Sequence, residues 1–75
     1  MKNIKIYLFN ENIEYEEFKY EGQSNYLKFM MGQVIYLVTD YKDHYELETV
    51  NQDMRFETKT QKAMVMILTN LKEVS

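Results

Sequence analysis

The chain has 75 residues, 45% hydrophobic and 28% charged, which is the composition and size of one folded domain and leaves no room for a second. It has no cysteine, and this excludes a disulfide framework, thiolate metal sites, iron–sulfur clusters and a cysteine nucleophile together. A formal net charge of −3 argues against direct binding to nucleic acid, which needs Lys and Arg gathered against phosphates.

In chain order, the first apolar stretch is Ile6 to Phe9, halted by Asn10-Glu11-Asn12. It is too short for the ~7–15 apolar residues of a secretory leader. The longest unbroken apolar run, Ala63 to Leu68, is far below the ~20 residues that cross a bilayer. A soluble cytoplasmic protein with no membrane partner is expected. Proline is absent and there are only two glycines, Gly22 and Gly32. Turns must therefore come largely from Asn and Asp, whose short side chains bond to nearby backbone and tolerate positive φ. Such residues cluster at 10–12, 22–25, 32–33, 40–43 and 51–53.

The segments between these clusters are short and rich in Tyr, Phe, Ile and Val, and predict strands at 2–9, 13–20, 26–31, 34–39, 44–50 and 54–58. Gly32-Gln33 suits a two-residue hairpin turn with glycine first. That turn sets Met31 opposite Val34, Phe29 opposite Tyr36 and Leu27 opposite Val38, all on one face. From Thr60 the period changes. Met64, Ile67, Leu68, Leu71 and Val74 recur at helical spacing, with Thr58 or Thr60 as the N-cap and Lys72 in the last turn. The fold class is α+β: an antiparallel meander of five or six short strands with one C-terminal helix packed on it, in a single domain over 1–75.

A core this small is marginal, and small scaffolds without disulfides or metals commonly gain stability by association. Two apolar sets invite it. Ala63 and Met66 point off the main stripe of the helix, and Met30, Ile35 and Leu37 point away from the sheet face that the helix covers. A two-fold homodimer is expected. The alternatives are N-terminal strands curling over the second face of a monomer, or a face left open for a different protein.

Charge is segregated. Residues 10–21 hold Glu11, Glu14, Glu16, Glu17 and Glu21 against Lys19, and residues 40–57 hold Asp40, Asp43, Glu46, Glu48, Asp53 and Glu57 against Lys42 and Arg55. Tyr15, Tyr20, Tyr41 and Tyr45 interleave with them. Alternation along a strand makes Glu14-Glu16 and Glu46-Glu48 rows of carboxylates projecting to one side. Such rows can be a solvated outer face that discourages edge-to-edge aggregation. They can also dock on a basic groove, with aromatics as anchors and charge as steering, and stand in for phosphates there. The expected docking residues are Glu11, Glu14, Tyr15, Glu16, Glu17, Tyr20, Glu21, Asp40, Tyr41, Asp43, Glu46 and Glu48.

His44 is the only histidine. Asp40, Asp43 and His44 could gather round a metal, but their spacing fits neither a calcium loop nor a two-histidine zinc motif, and no metal or other cofactor is expected. Glu16 and Glu17 are adjacent in a strand and point to opposite faces, so they cannot share a substrate. No Ser or Thr has a histidine partner with an orienting acid, and no glycine-rich loop cradles phosphate. The chain reads as a binding protein, not an enzyme. Very small acidic proteins of this kind are often phage or mobile-element products, so the expected partner is a host protein with a basic groove: a clamp, polymerase, nuclease or CRISPR effector. An assembly subunit docking through its apolar sheet face is the alternative. A weak nucleic-acid binder using Lys59 and Lys62 is the third.

Overall fold

The computed structural model describes residues 1–19, 21–22, 24–51 and 53–74, in the order α1 (Lys2–Asn10), β1 (Tyr15–Phe18), β2 (Asn25–Met31), β3 (Val34–Asp40), β4 (Tyr45–Thr49), β5 (Arg55–Thr58) and α2 (Gln61–Val74). The strands form one antiparallel sheet in sequential order, β1-β2-β3-β4-β5. Short connections between neighbours dictate that order, because antiparallel strands need only a tight turn. Among the described residues, each of the five turn clusters contains one residue of positive φ: Asn12, Gly22, Gly32, Lys42 and Asp53. At the β2–β3 hairpin this is Gly32, with φ 63°, while Gln33 keeps negative φ. The register follows as the turn requires: Met31 pairs with Val34, Phe29 with Tyr36 and Leu27 with Val38.

The core lies between one face of the sheet and two helices. Leu27, Phe29, Met31, Tyr36, Val38 and Leu47 meet Ile4 and Leu8 of α1 and Met64 and Leu68 of α2. Phe29 and Tyr36 stack with ring centroids 5.8 Å apart. Each fully buried Leu or Ile contributes about 1.5–3 kcal/mol, so losing either helix would remove much of what holds so small a domain. Helix α2 begins where Thr60 Oγ1 accepts the Ala63 N–H at 3.1 Å, the N-cap position. Its inner stripe is Met64 and Leu68, flanked by Ile67 and Leu71. Val74, at the end of the expected stripe, is exposed.

Residues 2–9 are helix, not the expected strand, and the five-stranded alternative is the one observed. Ile4, Ile6 and Leu8 alternate as a strand would, yet Ile4 and Leu8 are also four apart. Packing against α2 selects the helical reading: Ile4 and Leu8 are buried and Ile6 is exposed. The N-cap, Met1, has no side-chain acceptor. Instead Gln61, the first residue of α2, turns its Oε1 to the N–H groups of Asn3 (2.8 Å) and Ile4 (3.3 Å). The C-terminus closes locally. Asn12 adopts φ 57°, its N–H donates to the Phe9 carbonyl, and the Ile13 N–H donates to the Leu8 carbonyl. That is the Schellman arrangement, with Ile13 packed on the core as its hydrophobic partner. Lys72 Nζ then meets Glu11 Oε1 at 3.2 Å, so the two helices lie side by side in the same direction, tied at both ends. Neither helix nor any N-terminal strand covers the second face of the sheet. No helix among the described residues is long and apolar enough to cross a membrane.

Candidate docking surface

Alternation along the strands decides what the uncovered face presents. One row across the sheet reads Phe18, Tyr26, Thr39, Glu46, Glu57, and the next reads Glu16, Lys28, Leu37, Glu48, Arg55. Met30 pairs with Ile35 beside them. The middle of the face, on β2 and β3, therefore carries Tyr26, Met30, Ile35 and Leu37, together with Thr39 and the exposed cation Lys28. Met30 is 55% exposed, Ile35 and Leu37 are half-buried, and the Phe18 and Tyr26 rings stack at 4.8 Å. A groove of about 320 Å³ runs between Glu14, Glu16, Lys28, Met30 and Ile35.

Carboxylates form the two margins. Glu16 stands on β1, with exposed Glu14 just before it. Glu46 and Glu48 stand on β4, with Glu57 beside them on β5. Three strand spacings, roughly 14 Å, separate β1 from β4. The second margin is partly neutralised. Arg55 reaches Glu48 Oε2 at 3.2 Å and Glu46 Oε1 at 3.7 Å, and these carboxylates raise the guanidinium pKa, the hydrogen bond to Glu48 contributing most. His44 bonds to Asp43 Oδ1 through Nδ1 (2.6 Å) and faces Glu46 Oε2 through Nε2 (3.2 Å). The bond to Asp43, and next that to Glu46, raises the His44 pKa, while the same bond lowers that of Asp43.

The remaining expected docking residues lie elsewhere. Glu17 points to the helix side of the sheet and pairs with Lys5 of α1 at 2.6 Å, a bond that holds its carboxyl below the ordinary value. Glu11 pairs with Lys72, and Tyr15 is half-buried against the core. Asp40 accepts the Lys42 N–H at 2.8 Å and so shapes its own turn. Tyr41 lies over the His44 ring, centroids 4.9 Å apart. Glu21 is exposed in the β1–β2 turn, and Tyr20 lies outside the described residues. Of the apolar set, Met30, Ile35 and Leu37 share the uncovered sheet face. Met66, exposed, and Ala63, half-buried, belong to the helical layer on the opposite side, where Met66 shares a groove with exposed Ile6.

Sequence reasoning missed Phe18, Tyr26 and Glu57 as members of this face. Parity within a strand was the available signal for two of them, Phe18 sharing it with Glu16 and Tyr26 with Met30, whereas Glu57 joins the face only through its register opposite Glu46. The metal set considered from sequence is not the one the fold assembles. Asp40 is occupied by its turn, whereas His44, Glu46 and Glu57 bring a ring nitrogen and two carboxylate oxygens within 4.8 Å of one another. Comparison of the chain with protein-family models, with curated proteins and with solved structures returned no significant match.

Proposed function

We propose that this is a non-enzymatic binding protein of the kind phages and mobile elements direct against a host, acting in the cytoplasm by obstructing a basic nucleic-acid-binding groove. The observation that carries the reading is the layout of the uncovered sheet face: a centre mostly apolar and aromatic, with Lys28 its one charged side chain among the described residues, between two carboxylate margins. The roughly 14 Å between margins is close to the roughly 12 Å width of the major groove between phosphate ridges of a duplex. Two negative ridges of similar spacing would occupy a groove shaped for nucleic acid, while Phe18, Tyr26 and Met30 supply the desolvated anchor that charge alone does not. A two-fold homodimer formed through the helical layer, where Ile6, Phe9 and Met66 are exposed, would leave both sheet faces free.

A second reading, an assembly subunit docking through the same face by apolar contact, is favoured by the exposure of Met30 beside Ile35 and Leu37. The two separate in one experiment. The protein is immobilised, partners are captured from host lysate, and elution is followed against salt and against added duplex DNA. A groove blocker releases its partner as salt rises, yields it to the duplex, and loses at least tenfold in affinity on Glu14→Lys with Glu16→Lys. An assembly subunit is indifferent to salt and to those reversals, but fails on Met30→Glu with Ile35→Glu. Gel-shift binding of DNA at moderate salt would overturn both and favour the lysines near the start of α2, Lys59 and Lys62.

A further inference from the structure

Directly opposed like charges destabilise a pair of strands, yet Glu46 of β4 and Glu57 of β5 face each other across the ladder. Their carboxylate oxygens and a ring nitrogen of His44 lie within 4.8 Å of one another. The imidazole is oriented before any ligand arrives. Its Nδ1 is held by Asp43 at 2.6 Å, Tyr41 stacks on its plane at 13°, and Nε2 is left turned toward Glu46 Oε2. This is the arrangement found round metal-binding histidines, whose second ring nitrogen donates to a carboxylate that fixes tautomer and orientation. Arg55 approaches Glu46 through the other oxygen, Oε1, so the two contacts do not compete for one atom.

We propose that His44, Glu46 and Glu57 bind a divalent transition-metal ion of the zinc class, with Asp43 as the positioning residue behind the histidine. One imidazole nitrogen and two carboxylate oxygens suit zinc, which accepts three protein ligands and leaves its remaining position to water. Magnesium and calcium prefer all-oxygen shells. Binding replaces the His44–Glu46 hydrogen bond and removes the repulsion between Glu46 and Glu57. Two ligands stand on paired strands, and the third stands one residue before β4 in phase with Glu46, so little ordering accompanies binding. The metal site shares Glu46 and Glu57 with the second carboxylate margin, but it does not rest on the docking proposal, because it needs no partner.

The test is titration of the full chain with Zn²⁺, and separately with Mg²⁺, followed by calorimetry, by NMR of the His44 ring and by thermal melting. One equivalent of zinc should bind with displacement of the ring resonances. At free zinc tenfold above Kd the melting temperature should rise by roughly 5–10 °C, and magnesium should do neither. Glu57→Gln and His44→Gln should each weaken zinc binding at least tenfold, whereas Glu14→Gln with Glu16→Gln should leave it unchanged. Glu57 is exposed and its substitution removes a repulsion, so that variant keeps its fold without metal. Absence of saturation at millimolar zinc, an equal response to magnesium, or undiminished zinc binding in both Glu57→Gln and His44→Gln would overturn the site.

Discussion

Gln61 is the residue whose replacement most sharply tests how this fold is held. Its Oε1 accepts the N–H groups at the second and third positions of α1, the role that a Ser, Asp or Asn immediately before a helix usually performs. Here the preceding residue is Met1, which has no acceptor to offer. Gln61→Ala leaves those donors without a protein partner. Loss of an N-cap acceptor costs typically ~1 kcal/mol, which for a domain of this size lowers the melting temperature by about 4–8 °C. Some of the loss is recovered because the Asn3 end is exposed and water can replace the acceptor there. Gln61→Glu is the informative counterpart. A carboxylate keeps the acceptor and places negative charge at the positive ends of both helices, so this variant should match or exceed the parent. Thermal and urea unfolding of the three proteins decides the matter. Equal destabilisation by Ala and Glu, or none by Ala, would refute the assigned role of this side chain.

Two further outcomes follow from the same contacts. Asn12→Val should lower stability by about 1–2 kcal/mol, since a β-branched residue tolerates φ 57° poorly, while Asn12→Gly should be near neutral; urea midpoints distinguish them. The Glu17 carboxyl, held below its ordinary 4.5 chiefly by the hydrogen bond from Lys5, contributes stability that is fully present above 4.5 and lost as pH falls through the depressed folded value. Lys5→Met should therefore lower stability at neutral pH, change it little well below the depressed folded value, and so flatten the acid limb of a stability–pH profile.

The parts of this fold that could be read from sequence are those whose information is local. Gly32-Gln33 set the hairpin and the register of six facing side chains, and Thr60 marked the start of α2, because each depends on residues within a few positions. Helix α1 was not legible for the opposite reason. Nothing near Met1 caps it, no acidic residue occupies its first turn, and its cap arrives from residue 61. The one local clue was at its other end, where Asn12 precedes Ile13: a left-handed residue followed by an apolar one closes a helix back onto Leu8. The candidate surface was half legible. Strand parity placed Glu14 with Glu16, and Glu46 with Glu48, each pair to one side of its own strand. Their division into two margins about a mostly apolar centre depends on β2 and β3 lying between β1 and β4, which is a property of sheet order rather than of any segment.

Both ends of the described chain belong to the helical layer, with all five strands strung between them. Any tether, label or fused domain added before residue 1 or after residue 74 consequently leaves from the back of the molecule. The protein can be fixed to a bead or a sensor chip by either tail with its front left unobstructed, and a bulky fusion that abolished partner capture would place the contact among the helices instead.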